Sequence, residues 1–323
     1  MAPHPDRTGE VSSPAREMLE PGYQRLFRTG ALRARADEAR RHMEACDLCP
    51  NRCGVNRRAV KVGATCQTYE RARVHAAFPH HGEEDVLRGR AGSGTIFFSS
   101  CNLRCVYCQN WEISWRGEGE LVSDADLAEM MLGLQRQGCH NVNLVSPSHV
   151  VAQVLGALCI AAERGLEVPL VWNSGGFDSL EALRVLDGVV DVYMPDVKYS
   201  DSEVGRRCSH VQGYAEVSRA AVQEMHRQVG DLVLDARGLA VRGLIVRHLV
   251  LPSGLAGTEE VMRFLAEAVS PRTWVNLMDQ YRPCYRAGDV EALARRPTSE
   301  ELRAALQAAR RHGLARLDPG GIA

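Results

Sequence analysis

The sequence of 323 residues has almost no lysine, almost no net charge and no long apolar run. Lysine occurs only at Lys61 and Lys198, so nearly all of the 39 basic side chains are arginine. The formal net charge of −1 gives no basis for a nucleic-acid partner or for binding to an anionic membrane. No apolar stretch is long enough to cross a bilayer, and the first residues lack the apolar region of a secretion signal. We therefore expect a cytoplasmic protein with neither a nucleic-acid nor a membrane partner.

The absence of a secretion signal also bears on the eleven cysteines. In a reducing compartment, cysteines favour metal or redox chemistry over a disulfide framework. Seven of them form two clusters, and the other four are dispersed. We interpret Cys139 and Cys159 as small core residues, the commoner fate of a lone cysteine. Cys208 and Cys284 lie in loop-like surroundings and have no assigned role.

The first cluster has an unusual number of thiols for a metal site. Cys101, Cys105 and Cys108 have the spacing C-x3-C-x2-C, directly after a buried strand predicted over residues 94–98. Three soft thiolates suit an iron–sulfur cluster better than a hard cation. A four-iron cubane normally takes four cysteines, so three would leave one iron free to bind another ligand. Structural zinc would need a fourth ligand, and the next cysteine, Cys139, lies beyond a predicted helix.

The second cluster has the full number of ligands. Cys46, Cys49, Cys53 and Cys66 follow the pattern C-x2-C-x3-C-x12-C. Four thiols complete either a tetrahedral zinc site or a second iron–sulfur cluster, and the sequence leaves both alternatives open. Zinc would stabilise a small lobe, whereas a cluster could relay electrons. A third possibility is that some of these thiols meet the substrate.

Short apolar strands alternate with amphipathic helices along most of the chain, which predicts an α/β fold built from right-handed βαβ units around a parallel sheet. Six strand–helix units are too few for a closed eight-stranded barrel, so we expect an open, partial parallel β/α barrel. The predicted organisation is a disordered tail (1–20), an N-terminal helix and cysteine-rich lobe (21–92) and the barrel (93–323). Within the lobe, we interpret residues 80–84, His-His-Gly-Glu-Glu, as a solvated turn.

Polar side chains follow every predicted strand. In open α/β sheets, ligands bind beyond the carboxyl ends of the strands, so these side chains are the candidate site. They are Ser146, Ser148 and His149 after the second strand, Asn173 and Ser174 after the third, Asp196 and Lys198 after the fourth, Arg247 in the fifth, and Tyr281 and Arg282 after the sixth.

Four segments together resemble the radical S-adenosylmethionine (radical SAM) enzymes, and within them the pyruvate formate-lyase activating enzyme branch, in particular its PflX-type relatives. The first two segments are Cys46-x2-Cys49-Pro and Gly92-Ser-Gly-Thr-Ile-Phe-Phe98. The third is the loop that carries Cys101, Cys105 and Cys108, here called the cysteine loop, with Tyr107 and the following Gln109-Asn110. The fourth is Met194-x-Asp196-x-Lys198. The resemblance extends from about Cys46 to His312.

This resemblance implies that Cys101, Cys105 and Cys108 hold a [4Fe–4S] cluster whose open iron binds the amino and carboxylate groups of SAM. The reduced cluster would cleave SAM to methionine and a 5′-deoxyadenosyl radical, which abstracts hydrogen from a substrate. The predicted SAM-binding residues are Tyr107, Ser146, Ser148, Asn173, Ser174, Met194, Asp196, Lys198 and Arg247. On the substrate side we place His149, Tyr281 and Arg282.

Two segments depart from the activases. Where they carry Gly-Gly-Glu after the second strand, this chain has Ser146-Pro-Ser-His149. Where they carry Asp-Thr-Asn-Gly after the third, it has Asn173-Ser-Gly-Gly176. Two negative charges near SAM are therefore missing, although hydroxyl and carbonyl oxygens can accept hydrogen bonds from the SAM amine.

Three functions remain open on the sequence. The first is an activase that takes hydrogen from a glycyl radical enzyme, with flavodoxin or ferredoxin as electron donor. The second is a radical SAM enzyme that acts on a small molecule or peptide, which the altered loops favour. The third is a non-catalytic iron–sulfur electron carrier, against which the missing fourth cysteine near Cys101 argues.

Overall fold

The computed structural model describes residues 20–60 and 62–322. The disordered tail that we predict over residues 1–20 lies outside this range except for its last residue. None of the described helices is long and apolar enough to span a membrane.

The centre of the fold is one nine-stranded sheet. Its strands are β1 (Ala72–His80), β2 (Ser93–Phe98), β3 (Glu120–Val122), β4 (Val142–Val145), β5 (Leu170–Ser174), β6 (Val192–Pro195), β7 (Val233–Leu234), β8 (Ala240–Leu249) and β9 (Trp274–Met278).

Eleven α-helices of the described part connect and cover these strands. They are α1 (Gly22–Arg28), α2 (Ala31–His42), α3 (Asp85–Arg88), α4 (Trp111–Ser114), α5 (Asp124–Arg136), α6 (Val151–Glu163), α7 (Leu180–Leu186), α8 (Ser202–Ser209), α9 (Tyr214–Val229), α10 (Thr258–Phe264) and α11 (Ser299–Arg311).

Six strands of the sheet run parallel. They lie side by side in the order β2, β4, β5, β6, β8 and β9. The antiparallel strands β1 and β3 extend the sheet beyond β2, and β7 pairs antiparallel with β8. The prediction of an open α/β sheet with six parallel strand–helix units is therefore confirmed. The register brings the carboxyl ends of the strands together, since Asn173 in β5 pairs with Val145 on one side and Met194 on the other.

Several local elements differ from the sequence prediction. Helix α8 was not predicted, because its eight residues are mostly polar and only Val204 and Cys208 mark an apolar side. The helix expected over residues 23–43 is two helices, separated by Gly30, whose φ of 76° is left-handed backbone that ends a helix. The last predicted strand, residues 314–317, contributes only a single bridge between Val275 and Leu317. For residues 75–94 the sequence predicts loop and short strands, but they contain most of the nine-residue strand β1 and all of helix α3.

The N-terminal helices pack directly on the barrel. The Gly22 N–H donates to Asp191 Oδ1 at 2.7 Å, and the Tyr23 hydroxyl donates to the Val168 carbonyl at 2.8 Å. A side chain on Gly22 would collide with the Gly188 carbonyl, because an added Cβ would lie 2.2 Å from that oxygen. Glycine is therefore required where α1 meets the barrel.

Helix α3 packs against one face of the parallel strands, next to the residues that precede the candidate site along each strand. Val86 and Leu87 pack against Val171, Met194 and Ile245 in one buried cluster. Side chains alternate between the two faces of a strand, so these three core residues share their face with the residues two positions further along each strand. Those residues are Asn173, Asp196 and Arg247, which therefore stand above an apolar floor.

Candidate active site

A cavity of about 420 Å³ opens at the carboxyl ends of the six parallel strands. This volume lies within the range of pockets that bind one small-molecule ligand. Ten of the residues predicted from the sequence line it: Cys101, Cys105, Tyr107, Cys108, Ser146, Asn173, Ser174, Asp196, Lys198 and Arg247. A larger groove of about 600 Å³ lies at the opposite edge of the sheet, around Cys139 and Asp235, and holds none of the predicted ligands.

The cysteine loop is held by the carboxyl end of α8. The Arg104 N–H donates to the Ser209 carbonyl at 3.0 Å, and the Val106 N–H donates to the Cys208 carbonyl at 2.9 Å. On the other side, the Arg286 N–H donates to the Val106 carbonyl at 2.8 Å. The loop is thus paired with backbone on both sides, so that its three thiols have fixed positions.

Each loop sulfur has a polar hydrogen-bond partner. The pairs are the Leu103 N–H with Cys101 Sγ at 3.4 Å, the Ser209 hydroxyl with Cys105 Sγ at 3.0 Å, and the Ser114 hydroxyl with Cys108 Sγ at 3.1 Å. Hydrogen bonds to a sulfur stabilise the negatively charged thiolate, which is the form that binds metal. The surroundings of all three sulfurs therefore suit ligands of an iron–sulfur cluster.

Burial raises the pKa of the Cys101 thiol to about 11 and that of the Cys105 thiol to about 12. The positive charge of Lys198 opposes both rises but does not cancel them. A metal must therefore displace their protons when it binds. Among residues 20–60 and 62–322, no three His, Cys, Asp or Glu side chains converge tightly enough to surround a single ion. A four-iron cubane is wider than one ion, so thiols spread around a single cavity fit the cubane better.

Asp196 is the centre of a buried charge network on the wall of the cavity. Its carboxylate accepts hydrogen bonds from Lys198 Nζ at 2.6 Å and from Arg247 Nε at 2.9 Å. Burial alone would raise the pKa of Asp196, but the two cations outweigh it and hold that pKa below its usual value. Arg247 also donates to Asn173 Oδ1 at 2.7 Å. The network fixes two cationic groups above the apolar floor, where they can bind a carboxylate.

A second carboxylate organises the loops after β4 and β5 from behind the cavity. Asp178 is buried and accepts hydrogen bonds from Ser148 at 2.7 Å, Ser174 at 2.6 Å and Trp172 Nε1 at 3.2 Å. Burial raises the pKa of Asp178, and these three donors oppose that rise. The Ser148 hydroxyl is therefore committed to Asp178. Gly176 lets this loop pass close to the fourth-strand motif, since a Cβ there would lie 2.1 Å from the Asp196 carbonyl.

Tyr107 belongs to a buried chain of hydroxyl groups that ends at the cysteine loop. Its hydroxyl lies 2.6 Å from that of Tyr199, which lies 2.7 Å from the Ser209 hydroxyl. Ser209 in turn contacts Cys105 Sγ. The Tyr107 ring lines the cavity, but its hydroxyl faces this chain and not the open space.

Five predicted site residues do not line the cavity: Ser148, His149, Met194, Tyr281 and Arg282. Met194 is buried in the apolar floor. The His149 ring donates from Nε2 to the Ser99 carbonyl at 3.0 Å, and burial lowers its pKa to about 4.

The two substrate-side candidates near the sixth strand also lie outside the cavity. The Tyr281 hydroxyl donates to the Leu293 carbonyl at 2.7 Å, and its ring packs edge-on against Tyr107 at 5.8 Å. Arg282 is exposed. The structure therefore gives Tyr281 a packing contact behind Tyr107 and shows no contact of Arg282 with the cavity.

The sequence analysis missed one charged residue of the cavity. Glu83 is not in a solvated turn, because its side chain is only 7% exposed and lines the cavity beside Arg247. Burial raises the pKa of Glu83, and the charge of Arg247 opposes that rise. The Gly-Glu-Glu sequence between two strands gave no sign of burial. Only the antiparallel pairing of β1 with β2 carries this turn to the inside of the sheet.

The four cysteines of the N-terminal lobe lie near one another and near the cysteine loop. The pKa of Cys49 is raised to about 12 by burial and by the nearby thiols of Cys66, Cys46 and Cys53. Arg57 is buried, and its guanidinium lies 3.7 Å from Cys46 Sγ.

Two hydrogen bonds join this lobe to the cysteine loop. Asn51 Nδ2 donates to the Asn102 carbonyl at 2.8 Å, and Arg104 donates to the Thr65 carbonyl at 2.9 Å. Thr65 directly precedes Cys66, so the contact between Arg104 and Thr65 brings the backbone of the cysteine-rich lobe against the cysteine loop.

Comparison with known proteins gave matches of three kinds. The family model described as the radical SAM superfamily matches residues 95–235, which include the cysteine loop and Asp196. An uncharacterised protein of Methanocaldococcus jannaschii is 32% identical over 293 residues, covering 88% of this chain and 79% of that protein. Among solved structures, one of TYW1 with a lysine-pyruvate adduct bound matches with a TM-score of 0.42 and 11% identity, over 68% of this chain and 72% of that one.

Proposed function

This chain belongs to the radical SAM superfamily, and we propose that it uses Cys101, Cys105 and Cys108 to bind a [4Fe–4S] cluster with one iron open to SAM. The observation that carries this proposal is the position of the three thiols. They line the same cavity as the charge network of Asp196, Lys198 and Arg247. When bound, the cluster and SAM supply reductive cleavage of the sulfonium and abstraction of hydrogen from a substrate.

The residues of the chain bind and orient the ligand. Lys198 and Arg247 present two cationic groups, fixed by Asp196, to a carboxylate such as that of SAM. Ser146 adopts left-handed backbone at a φ of 57° where β4 ends at the cavity, so that its backbone groups turn away from the strand. Together with the side-chain oxygen of Asn173, it can offer neutral oxygens to an amine, whereas the Ser174 hydroxyl, like that of Ser148, is committed to Asp178.

An anaerobic preparation tests the proposal. The purified protein should contain about four irons at this site and should form 5′-deoxyadenosine when SAM and dithionite are added. Asp196→Asn should weaken SAM binding at least tenfold. Without the shared carboxylate, Lys198 and Arg247 are no longer held in position to bind the carboxylate of SAM. The exposed Asp37→Asn is the matched control. If protein with a complete cluster forms no 5′-deoxyadenosine, the proposal is refuted. That result would favour the alternative of a non-catalytic electron carrier.

The hydrogen donor remains a choice between two classes. An activase would take hydrogen from a glycine of a partner enzyme, as the resemblance to the pyruvate formate-lyase activating enzymes and the PflX-type branch suggests. A second cavity of about 270 Å³ adjoins the first and has room for a small molecule or a peptide side chain, which favours this alternative. Formation of a glycyl radical on a partner protein, seen by electron paramagnetic resonance, would favour the activase.

We further propose that the four cysteines of the lobe hold a second metal centre that supports or supplies the first. Their mutual proximity and the two hydrogen bonds to the cysteine loop support this proposal. An iron–sulfur cluster there would relay electrons, whereas zinc would stabilise the lobe but would require the four thiols to move onto one ion, since no three described ligand side chains surround a single point.

An external electron donor, such as flavodoxin or ferredoxin, requires a docking face near the cysteine loop. Trp111 and Tyr285 stack at 5.0 Å behind the loop, and Tyr285 is 39% exposed. Arg116 lies over Trp111, and the Trp115 indole donates to the Cys105 carbonyl at 3.0 Å. Exposed aromatic rings with arginine suit an acidic protein partner, and we place the donor on this face.

A further inference from the structure

Two neighbouring carboxylates at the edge of the cavity lack the partners that buried charges require. Glu83 and Glu84 follow β1; Glu84 is buried and the side chain of Glu83 is 7% exposed, although the sequence suggests a solvated turn. Buried charges are normally paired and hydrogen-bonded, because removing them from water is costly. Incomplete pairing at this position therefore calls for a ligand.

Glu83 has only distant partners. Its carboxylate lies 3.5 Å from Arg247 Nη1 and 3.4 Å from His80 Nδ1, and the second contact does not form a hydrogen bond. Arg247 is already committed to Asp196 and Asn173 by shorter bonds. Glu83 therefore receives only one long ion pair from the charge network, from an arginine that makes two shorter bonds elsewhere.

Glu84 is partnered on one oxygen only. Its Oε1 accepts from Asn276 Nδ2 at 2.9 Å, while Oε2 is buried without any hydrogen-bond partner. The residue is 5% exposed and lines the second cavity, of about 270 Å³. Asn276 lines the same cavity, and its Oδ1 is likewise buried without a partner. Two residues that each carry a buried, unpartnered acceptor thus line one cavity.

The two cavities are continuous along the glutamate pair. Gly82, Glu83 and Arg247 line both the cavity at the cysteine loop and the second cavity. A ligand group in the second cavity can therefore extend from a molecule bound at the cysteine loop.

The charges around this space are unbalanced. Three carboxylates, Asp196, Glu83 and Glu84, face two cations, Lys198 and Arg247, and none of these five is more than 18% exposed. Asp318 adds a further buried carboxylate at the second cavity, while Asp85 pairs there with Arg88. His80 contributes a positive charge only when it is protonated. The space therefore has an excess of negative charge that a bound cation would balance.

We propose that Glu83 and Glu84 form a binding site for a primary alkylammonium group. A bare metal ion fits less well, because no three of the described acidic or histidine side chains surround one point. An ammonium group instead carries three N–H donors, which match Glu83, Glu84 Oε2 and Asn276 Oδ1. Its source is an amine of the substrate, because the amino group of SAM would be bound to the open iron; this assignment of source rests on the proposed function.

Propylammonium and its neutral counterpart propanol test the site without any catalysis. Ligand-observed nuclear magnetic resonance on the anaerobically purified full chain should show saturable binding of propylammonium and at least tenfold weaker binding of propanol. Glu84→Gln and Glu83→Gln should each weaken propylammonium binding at least tenfold, because they remove the charge and keep the shape of the side chain. Glu291→Gln, an exposed residue, should leave it unchanged.

The same titration with SAM present identifies the source. Undiminished binding of propylammonium beside SAM is expected if the site takes an amine of the substrate, and competition between propylammonium and SAM would contradict that source. Equal binding of propylammonium and propanol to the unaltered protein would overturn the proposal, as would unchanged binding in both glutamine variants. Neither result would bear on SAM cleavage, so the proposed function stands or falls separately.

Discussion

The Ser209 hydroxyl lies 3.0 Å from the Cys105 sulfur, at the carboxyl end of α8. A thiolate ligand can only accept, so Ser209 must donate to it when metal is bound. Each hydroxyl has one proton, so Tyr199 must then donate to Ser209, and Tyr107 to Tyr199. The buried chain therefore directs three O–H dipoles toward one ligand of the proposed cluster.

Ser209→Ala should lower the reduction potential of the cluster. A hydrogen bond to a ligand sulfur stabilises the more negative, reduced state, so its loss makes reduction harder. We expect a shift on the order of tens of millivolts, as suits one hydrogen bond to a charged group. Redox titration followed by electron paramagnetic resonance measures it. Ser299→Ala is the exposed control, and equal potentials in all three proteins would show that the Ser209 contact does not tune the cluster.

Cys66→Ser should remove metal from the N-terminal lobe while leaving about four irons at the cysteine loop. The lobe site would lose one of its four ligands, whereas Cys101, Cys105 and Cys108 are untouched. Elemental analysis of iron and zinc in the anaerobic protein measures the difference and also distinguishes zinc from a second cluster. Identical metal content in the variant and the unaltered protein would contradict a second centre.

Arg116→Glu should slow electron transfer from an acidic flavodoxin. Arg116 is 61% exposed beside the aromatic pair of Trp111 and Tyr285, so reversing its charge would repel an acidic partner. We expect a roughly tenfold lower second-order rate constant at low salt, with a smaller effect at high salt. Arg303→Glu on α11 is the control. A photoreduced deazaflavin should reduce both variants at the normal rate; an equal slowing with this small reductant would argue against a docking role.

His248 should make the fold sensitive to acid. Its Nδ1–H donates to the Val197 carbonyl at 2.7 Å and its Nε2 accepts from Thr258 at 2.9 Å, which fixes a neutral ring. Burial lowers its pKa to about 4, below its value of about 6.5 in the unfolded chain. The unfolded chain therefore binds the proton first, and stability is lost as pH falls from about 6.5 toward 4.

Between pH 7.5 and pH 5.0 this residue alone should cost about 2 kcal/mol of unfolding free energy. Urea unfolding at the two pH values measures the loss, and His248→Gln should reduce it by that amount. Part of the acid sensitivity should persist in the variant, because burial also lowers the pKa of His149 to about 4. An equal loss in the variant and the unaltered protein would contradict the assignment.

The sequence predicts the frame of the cavity because that frame follows local rules. Six apolar segments form six parallel strands, and the residues at their carboxyl ends meet in space, as Asn173, Asp196 and Arg247 do. The same rule does not say which way a side chain turns after its strand. Ser148 lies in a short 3-10 turn, Pro147–His149, that directs it toward Asp178 and away from the cavity.

Contacts between segments that are distant along the chain could not be predicted from the sequence alone. Glu83 enters the site because β1 pairs antiparallel with β2 and the four-residue helix α3, which follows Glu83 and Glu84, packs against the strands of the sheet. Helix α8 holds the cysteine loop through backbone bonds to Ser209 and Cys208, and backbone groups leave no mark on side-chain composition. Neither relationship has a local pattern that could predict it.

The most direct test of the central claim is whether SAM binds the cluster at the cysteine loop through its amino and carboxylate groups. Electron–nuclear double resonance of the reduced protein, with SAM carrying ¹⁵N in its amine or ¹⁷O in its carboxylate, measures this contact. We predict a coupling from each label to the cluster, and its loss in Cys105→Ala. A loaded cluster that shows no coupling to either label would contradict the account.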